Sequence, residues 1–338
     1  MLSEVTDIIL FFLALLLGLS STCAAVADDE MATAGLKEMT APVSSDPSSA
    51  QSGHLFLLRD FWNLNNTVPN DYRTMQSPFE DKPGVVAPPT RKGMDELNVS
   101  GSGEFTRKSL KLLKRRVPKG FKLMIVDLMQ EPHCFVNGLC IAWYCGRNQV
   151  NWGKTDEQIR QDEEARLHSL IQEGEATTLG YVKPRSAEGL ENGDTPIKIK
   201  TRTALSEEQL CHSIGVDYVR IPIPDDISPP KEEIDRFVNL VEQLPKNTWL
   251  HIHCAAGNGR TTTFMAFVDM MHNAHDVSFD DIINRQWMIG GFHLMNGKPS
   301  AAWKIPYVIE RRKVIRDFYD TWQHKTPLPG NGGVSPAS

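Results

Sequence analysis

Hydrophobic and polar positions follow two different periods along the middle of the chain, and the two kinds of segment alternate. Continuous apolar and β-branched runs predict buried strands, whereas apolar residues at helical spacing among charged ones predict amphipathic helices. The predicted strands are FKLMIVDLM (121–129), DYVRIPIP (217–224) and TWLHIH (248–253). The predicted helices cover 105–117, 155–172, 206–215, 228–245 and 260–274, and the chain from Ser278 onward is expected to be helical with long breaks. Helices that alternate with strands around a hydrophobic sheet indicate an α/β fold.

Polar residues mark where several of these helices begin. Thr155 precedes Gln158 at the third helical position, which is the pattern of a capping box. Ser206 is the expected cap of the next helix, and Ser228 with the two prolines that follow it is expected to open the one after.

Residues 174–203 change character, with alternating polar and apolar positions, several Gly and Pro residues, and an NGD turn signal. This pattern predicts a small antiparallel β segment placed between the α/β elements. The stretch SPFEDKPGVVAPPTRKGM (77–94) is predicted to be an irregular loop because its prolines exclude a regular helix.

The two ends of the chain differ from its centre. An apolar run from Ile8 to Leu19 is followed by the small residues Ala25, Val26 and Ala27, which predicts a secretory signal peptide over 1–27 and a periplasmic or secreted protein. An uncleaved anchor or a misassigned start codon is the alternative. We expect a disordered leader over 28–53, one domain over 54–325 with no stable membrane association after cleavage, and a disordered tail over 326–338.

Composition and charge narrow the function classes. The chain has 338 residues, a hydrophobic fraction of 41% and a net charge of -6, which is ordinary for a soluble globular protein and disfavours a nucleic-acid partner. An anionic small molecule is not excluded, because a basic pocket can form on an acidic protein. The cysteines after the signal segment lack a zinc-ligand spacing, so no metal or cofactor is expected. Their odd number predicts one free thiol. These cysteines are Cys134, Cys140, Cys145, Cys211 and Cys254.

One of these cysteines lies in WLHIHCAAGNGRTTTF (249–264), between a predicted strand and a predicted helix. The loop amides can turn inward around a phosphate-sized anion, and the helix N-terminus adds a positive dipole. The same field stabilises a thiolate at Cys254, while Arg260 offers a planar fork for phosphoryl oxygens. His253 is expected to orient the loop, and Thr261 to hydrogen-bond the sulfur. The loop amides are those of Ala255, Ala256, Gly257, Asn258 and Gly259.

A glycine-rich turn that buries a thiol is the alternative interpretation, since Cys is among the most buried residue types. The combination of His, Cys, two internal glycines, Arg and Thr at this strand–helix joint favours chemistry. The stretch HCAAGNGRT resembles the signature of the cysteine-dependent protein tyrosine phosphatases. That resemblance implies thiolate attack on phosphorus followed by hydrolysis of a cysteinyl-phosphate.

The resemblance extends over residues 55–322, and there it is to the bacterial tyrosine-phosphatase-like phytases, which are inositol polyphosphatases. It rests on NDYRTMQ, RKGMDELNVSGSGEF, IVDLMQEPHCFVNGLCIAWYCGRNQVNWGK, PDDISPPKEEIDRF, the cysteine loop and INRQWMIGGF. It implies a mostly parallel sheet flanked by helices, a small partial β-barrel inserted at about 155–204, and a phytate-like substrate.

The resemblance also implies roles for single residues. Asp225 falls at the general acid, and Asp226 stands as a substrate contact where the family usually has His, so either of the two could be the acid. Asp127 matches a residue that contacts substrate or orients basic side chains, and Gln286 matches a water-positioning residue or is a structural glutamine. The matching or neighbouring substrate contacts are Arg73, Lys154, Lys304 and Tyr307. A protein tyrosine or dual-specificity phosphatase and a catalytically silent phosphate-binding effector module remain alternatives.

Overall fold

The computed structural model describes residues 56–59, 68–144, 148–178, 197–299 and 301–328. The predicted signal peptide and leader lie outside the described residues, as do the NGD turn, Cys145 and the last ten residues of the predicted tail. Within the described ranges, none of the helices combines the length and the apolar character needed to cross a bilayer.

A five-stranded sheet forms the centre of the molecule. Its strands are β2 (Arg73–Thr74), β3 (Val99–Ser102), β4 (Lys122–Met129), β10 (Asp217–Ile223) and β11 (Thr248–His253). Their order across the sheet is β10-β4-β11-β3-β2. The strands β10, β4, β11 and β3 run parallel to one another, and the short β2 pairs antiparallel to β3 at the edge. The α/β prediction with a mostly parallel central sheet is therefore confirmed.

Helices cover both faces of this sheet, which explains why its strands are apolar along nearly their whole length. In β4, Leu123 and Ile125 point to one face, and Val126 and Leu128 point to the other. The face of Leu123 packs against α1 (Arg107–Arg116) and α3 (Glu207–Ser213). The opposite face packs against α4 (Lys231–Glu242), α5 (Gly259–Asn273), α6 (Phe279–Met288) and α7 (Ile305–Gln323).

Antiparallel strands outside the central sheet form two further units. One unit is a four-stranded sheet and the other is a pair of strands; in the labels defined next, their orders are β1-β6-β5-β9 and β7-β8. The strands are β1 (Phe56–Arg59), β5 (His133–Val136), β6 (Leu139–Tyr144), β7 (Glu175–Thr178), β8 (Ile197–Lys200) and β9 (Ala204–Leu205). The helix α2 (Asp156–Glu173) precedes β7. Most of this antiparallel structure therefore comes from outside the range 155–204 to which the sequence assigned it.

Side-chain caps open some of the helices but not others. Thr155 forms the expected capping box, and Ser206, expected as a cap, also forms one. The expectation that Ser228 opens α4 is wrong, because the helix begins at Lys231 with Pro230 at its N-cap and no side-chain cap. A proline disfavours helical geometry in the residue before it, so the pair of prolines delays the start of the helix.

Candidate active site

The carboxyl ends of the four parallel strands meet at one edge of the sheet, and the candidate site lies there. Asp225 follows the end of β10 by two residues, Glu131 follows β4 by two, and Cys254 directly follows β11. Ligands in open α/β sheets bind at this edge, where the loops after neighbouring strands converge. The fold thus brings together residues that are more than a hundred positions apart.

The loop from Cys254 to Arg260 wraps the N-terminus of α5. Asn258 is the N-cap residue but makes no side-chain capping bond, and no acidic residue lies in the first turn, so the positive end of the helix is available to an anion. Gly257 has φ of 74°, and a Cβ atom there would stand 2.3 Å from the amide nitrogen of Gly103. The loop can pack this tightly on the end of β3 only because position 257 is glycine.

The sulfur of Cys254 lies at the bottom of this loop and is 3% exposed. The hydroxyl of Thr261 donates a hydrogen bond to Sγ at 3.2 Å. Two buried guanidinium groups, those of Arg73 and Arg260, lie close enough to interact with a charge on the Cys254 sulfur. Burial lowers the pKa of Arg73 to about 10, whereas the charges of Asp225 and Glu131 outweigh burial and raise the pKa of Arg260. The helix end, the hydroxyl and the two cations thus surround the sulfur with positive potential and a hydrogen-bond donor.

Arg260 is held by a carboxylate that sequence reasoning missed. Its Nη1 and Nη2 donate to the two oxygens of Glu131 at 2.7 and 2.6 Å, and Nη1 also donates to the carbonyl of Ile223 at 3.0 Å. Both side chains are buried, so this is a charge-assisted, two-pronged pair in a low dielectric. Glu131 therefore fixes the plane of the guanidinium before any ligand arrives.

The acid loop carries Asp225 and Asp226 in contrasting environments. Asp225 lies 3.0 Å from Nη2 of Arg260 and accepts from Asn148 at 3.1 Å. Burial would raise the pKa of Asp225, but the charge of Arg260 and the Asn148 hydrogen bond hold it below its ordinary value. Burial and the neighbouring Asp225 charge raise the pKa of Asp226, although Lys304 pairs with it at 2.6 Å. Two adjacent carboxyls with diverging pKa values are a common arrangement in acid–base catalysis.

His253 points away from the pocket, because successive side chains of β11 face opposite sides of the sheet. Cys254 belongs to the α5 side, whereas Nε2 of His253 lies 2.8 Å from Glu207 at the start of α3. Burial lowers the pKa of His253, but the charge and hydrogen bond of Glu207 outweigh it and leave the pKa raised. His253 therefore lies on the side of the sheet opposite Cys254, where Glu207 fixes the orientation of its ring.

Asp127 belongs to the same buried cluster, so its prediction as a substrate contact is wrong. Its carboxylate is fully buried and accepts from the hydroxyl of Tyr218 at 2.8 Å and the amide of Met129 at 2.7 Å. It also pairs with Arg220 at 3.3 Å. The orienting half of the prediction agrees with these contacts.

The carboxylates of this cluster, with His133, could in principle hold a metal ion, because ligand atoms of Asp127, His133 and Glu207 lie within 4.8 Å of one another. Nδ1 of His133 lies 2.9 Å from the carbonyl of Glu131, which only accepts, while Nε2 faces Glu207 at 3.1 Å. Both nitrogens must then carry protons, so His133 is an imidazolium. Together with Arg220, this cation neutralises the cluster as a network of ion pairs.

The surroundings of Gln286 are those of a structural glutamine, the second of its two expected roles. It is fully buried, and its amide donates to Asp269 at 2.9 Å and to the sulfur of Met75. Asp269 is also bound by Arg285, so the glutamine belongs to the packing between α5 and α6.

The residues predicted as substrate contacts differ in which part of the protein they touch. Arg73 reaches the first turn of α5 and donates to Thr262 at 2.9 Å. Lys304 lies at the acid loop, whereas Lys154 pairs with Asp162 of α2 at 3.2 Å. Tyr307 packs edge-on against Trp303 on the first turn of α7.

Sequence reasoning missed Arg311, which lies directly against the cysteine loop. A Cβ atom on Gly259 would stand 3.3 Å from its Nη1, and the charge of Asp226 acts on it. Nothing in the helical stretch IERRK marks this arginine as special. Glu131 did carry a signal, because it follows a buried parallel strand by two residues, at the edge where ligands bind.

Comparison with known proteins agrees with this geometry. A family model for tyrosine-phosphatase-like phytases, described by the words inositol hexakisphosphate, matches residues 126–272. The chain is 29% identical over 232 residues to effector protein hopD2 of Pseudomonas syringae pv. tomato, which covers 68% of this chain and 48% of that protein.

Two solved structures share the fold. The tyrosine-phosphatase-like myo-inositol phosphatase of Mitsuokella multacida, in complex with myo-inositol-(1,3,4,5)-tetrakisphosphate, superposes with a TM-score of 0.69 at 34% identity over 80% of this chain and 46% of that one. A tyrosine-phosphatase-like phytase of Bdellovibrio bacteriovorus superposes with a TM-score of 0.62 at 29% identity, over 82% and 91%.

The chain spans about half the length of the Pseudomonas and Mitsuokella proteins, at 48% and 46%. It matches nearly all of the Bdellovibrio chain, at 91%. The matching family model and the shared fold make this chain similar to the protein-tyrosine-phosphatase-like phytases.

Proposed function

We propose that this protein hydrolyses phosphate monoesters of myo-inositol polyphosphates through a cysteinyl-phosphate intermediate. The observation that carries the proposal is the placement of a buried thiol at the uncapped N-terminus of α5, with a hydroxyl at 3.2 Å and the fixed guanidinium of Arg260 beside it. Such a site binds one phosphoryl group and holds a nucleophile in line with it.

In the first step the thiolate of Cys254 attacks phosphorus, and the bond from phosphorus to the ester oxygen breaks. The loop amides and Arg260 hold the equatorial oxygens as charge moves onto them. A carboxylic acid of the acid loop, Asp225 in our assignment, donates its proton to the departing inositol alkoxide. The charge of Arg260 outweighs burial and lowers the pKa of Asp225, so a bound phosphoryl group must neutralise part of that positive charge and thereby raise the pKa of Asp225.

In the second step water attacks the cysteinyl-phosphate, and the same carboxylate accepts a proton from that water. The phosphorus–sulfur bond breaks, and the electron pair returns to Cys254 as a thiolate. The hydroxyl of Thr261, which already donates to Sγ, stabilises this leaving thiolate.

The substrate class is supported by the charges around the pocket. The loop interior is neutral, so it meets the charge of one phosphoryl group only, and further phosphates need cations from other segments. Arg73 from β2, Lys304 before α7 and Arg311 within α7 supply such cations near the loop. The inositol tetrakisphosphate complex of the Mitsuokella relative supports the same class.

The test measures phosphate release from inositol hexakisphosphate and from phosphotyrosyl peptides, with wild-type protein beside Cys254→Ser. We expect turnover of the inositol substrate by wild type and none by the variant. Turnover of peptide far above inositol hexakisphosphate would favour a protein phosphatase instead. Tight binding of inositol hexakisphosphate without release by wild type would favour a silent effector module, a role that the relationship to hopD2 keeps in view.

Action outside the cytoplasm is part of the proposal and rests on the signal-like segment 1–27. Fractionation of cells that express the full chain tests it, since a protein that stays full-length in the cytoplasm would contradict export through this segment.

A further inference from the structure

The outward side of α1 consists almost entirely of cations. Between Glu104 and Asp127 the sequence contains no acidic residue. Over the same stretch every Lys and Arg side chain is exposed. These residues, which we call the α1 basic face, are Arg107, Lys108, Lys111, Lys114, Arg115, Arg116, Lys119 and Lys122.

This helix violates the usual electrostatic rules at its own N-terminus. Arg107 and Lys108 occupy the first turn, where the helix dipole favours anions, and no acidic residue accompanies them. Arg107 and Lys111, and Lys111 and Arg115, are like-charged pairs at a spacing of four, which destabilises a helix. The helix persists because a capping box closes its first turn and because Leu110 is buried against the sheet.

The surrounding protein does not offset these charges. Across the part of the chain that the structure describes, no member of the α1 basic face forms an ion pair. Lys114 donates only to the carbonyls of Ile214 and Gly215, and Arg116 lies over the ring of Tyr72. The chain as a whole has 42 acidic and 36 basic residues, so a local excess of unpaired cations is not a consequence of composition.

We propose that the α1 basic face binds the surface of an anionic lipid bilayer. The face exposes only point charges and carries no exposed aromatic or amide side chain that could recognise a partner in detail. Protein interfaces are depleted in Lys and rely on aromatic anchors, whereas adsorption to anionic lipid needs only clustered Lys and Arg. The ten residues of α1 extend over about 15 Å, so its charges lie within about two Debye lengths and act on a charged surface together.

The fold gives this contact a direction. Glu104, two residues before the Thr106 cap of α1, donates its amide to the carbonyl of Ala255 in the cysteine loop at 3.1 Å. The first turn of α1 therefore lies at the active-site edge of the sheet. Lys122, by contrast, begins β4 at the opposite edge of the sheet. Adsorption through this face therefore lays the α1 side of the molecule along the membrane, with the active-site edge at one end of the contact, and the inference holds whether or not the proposed activity is correct.

Co-sedimentation of the full chain with vesicles tests the proposal. The vesicles are phosphatidylcholine alone or phosphatidylcholine with phosphatidylserine, which has no inositol headgroup to engage the active site. The test variant is Arg107→Gln, Lys108→Gln, Lys111→Gln and Arg115→Gln. The matched control removes four exposed lysines elsewhere, as Lys231→Gln, Lys246→Gln, Lys313→Gln and Lys325→Gln.

We expect wild type and control to sediment with the anionic vesicles only, and high salt to release them. Each cation near such a surface strengthens binding roughly fivefold, so the test variant should bind at least about 100-fold more weakly. Its melting temperature should change little, because Arg107→Gln and Lys108→Gln remove unfavourable charges from the first turn, while Arg115→Gln removes a favourable one from the last turn. A second variant, Arg115→Gln with Lys119→Gln and Lys122→Gln, leaves the first turn intact and should also lose binding.

Three outcomes would overturn the proposal. Wild type could stay in the supernatant with anionic vesicles, or the test variant could sediment as well as the control. Duplex DNA at an equal phosphate concentration could also strip wild type from the vesicles, which would mark the face as a nucleic-acid surface instead.

Discussion

Glu131→Gln is the substitution that most sharply tests how the site is organised. The carboxylate of Glu131 accepts two hydrogen bonds from Arg260, at 2.6 and 2.7 Å, and both groups are buried. The amide of glutamine keeps the shape and one acceptor but removes the negative charge. Arg260 then loses its bidentate partner and keeps Asp225 and the carbonyls of Leu128 and Ile223.

The size of the effect follows from the burial of the pair. Two unit charges about 4 Å apart interact by about 4 kcal/mol at the effective dielectric of a protein, and breaking a buried pair costs about 3–5 kcal/mol. Because one acceptor remains, we expect Glu131→Gln to lower the free energy of unfolding by about 3 kcal/mol. A guanidinium that is no longer fixed should also lower kcat by about 10²- to 10³-fold, which is typical of lost transition-state donors.

A second signature separates loss of orientation from general damage. Without Glu131 the positive charge of Arg260 is less well neutralised, so inorganic phosphate should inhibit the variant more strongly while kcat falls. Glu163→Gln is the matched control, since both oxygens of Glu163 accept from Nη1 of Arg220, at 2.8 and 2.9 Å, in a mostly buried ion pair away from the loop. Denaturant unfolding, kcat and phosphate inhibition are measured for both. If the two variants show equal kcat and equal phosphate inhibition, the positioning role of Glu131 is refuted.

Three further predictions concern the acid loop, the buried cluster and the rim. Asp225→Asn should slow hydrolysis of inositol phosphates far more than that of aryl phosphates, whose leaving groups need no acid; if only Asp226→Asn gives this pattern in steady-state assays, the acid is Asp226. Glu207→Gln should lower the free energy of unfolding most between about pH 4.5 and 6.5, where the ion pair of Glu207 and His253 is fully formed in the folded state. The stabilisation from this pair is lost as pH rises through the raised folded pKa of His253, and it is lost as pH falls through the lowered folded pKa of Glu207. Unfolding free energies that differ from wild type by a constant amount across pH would contradict this. Lys304→Met should raise KM for inositol hexakisphosphate by about tenfold, the usual effect of losing one charge-assisted contact, while KM for a small aryl phosphate changes little; equal changes for both would argue against a rim contact.

The parts of this molecule that the sequence predicts are those in which local pattern and tertiary environment agree. The strands β4 and β11 are continuous apolar runs because helices cover both faces of the sheet, and the loop after β11 carries its chemistry within a few consecutive residues. The capping boxes at Thr155 and Ser206 are local as well.

The parts that the sequence does not predict depend on contacts between distant segments. Glu131 acquires its role only when the end of β4 meets Arg260 of α5, and Arg311 acquires its role only when α7 packs on the loop. The hairpin of β5 and β6 was missed although Asn137 and Gly138, with φ of 52° and 83°, form the turn that an Asn-Gly pair favours. The resemblance misplaced Asp127 as a contact, whereas strand parity alone puts it on the α1 side with Leu123 and Ile125.

The proposed cysteinyl-phosphate on Cys254 can be observed directly. Wild-type and Asp225→Asn proteins are mixed with inositol hexakisphosphate, quenched in acid within the first turnovers, digested and analysed by mass spectrometry. We expect the peptide with Cys254 to gain the mass of one phosphoryl group, and we expect this adduct to be absent in Cys254→Ser. Release of phosphate without any adduct on that peptide, or undiminished release by Cys254→Ser, would contradict the proposed intermediate.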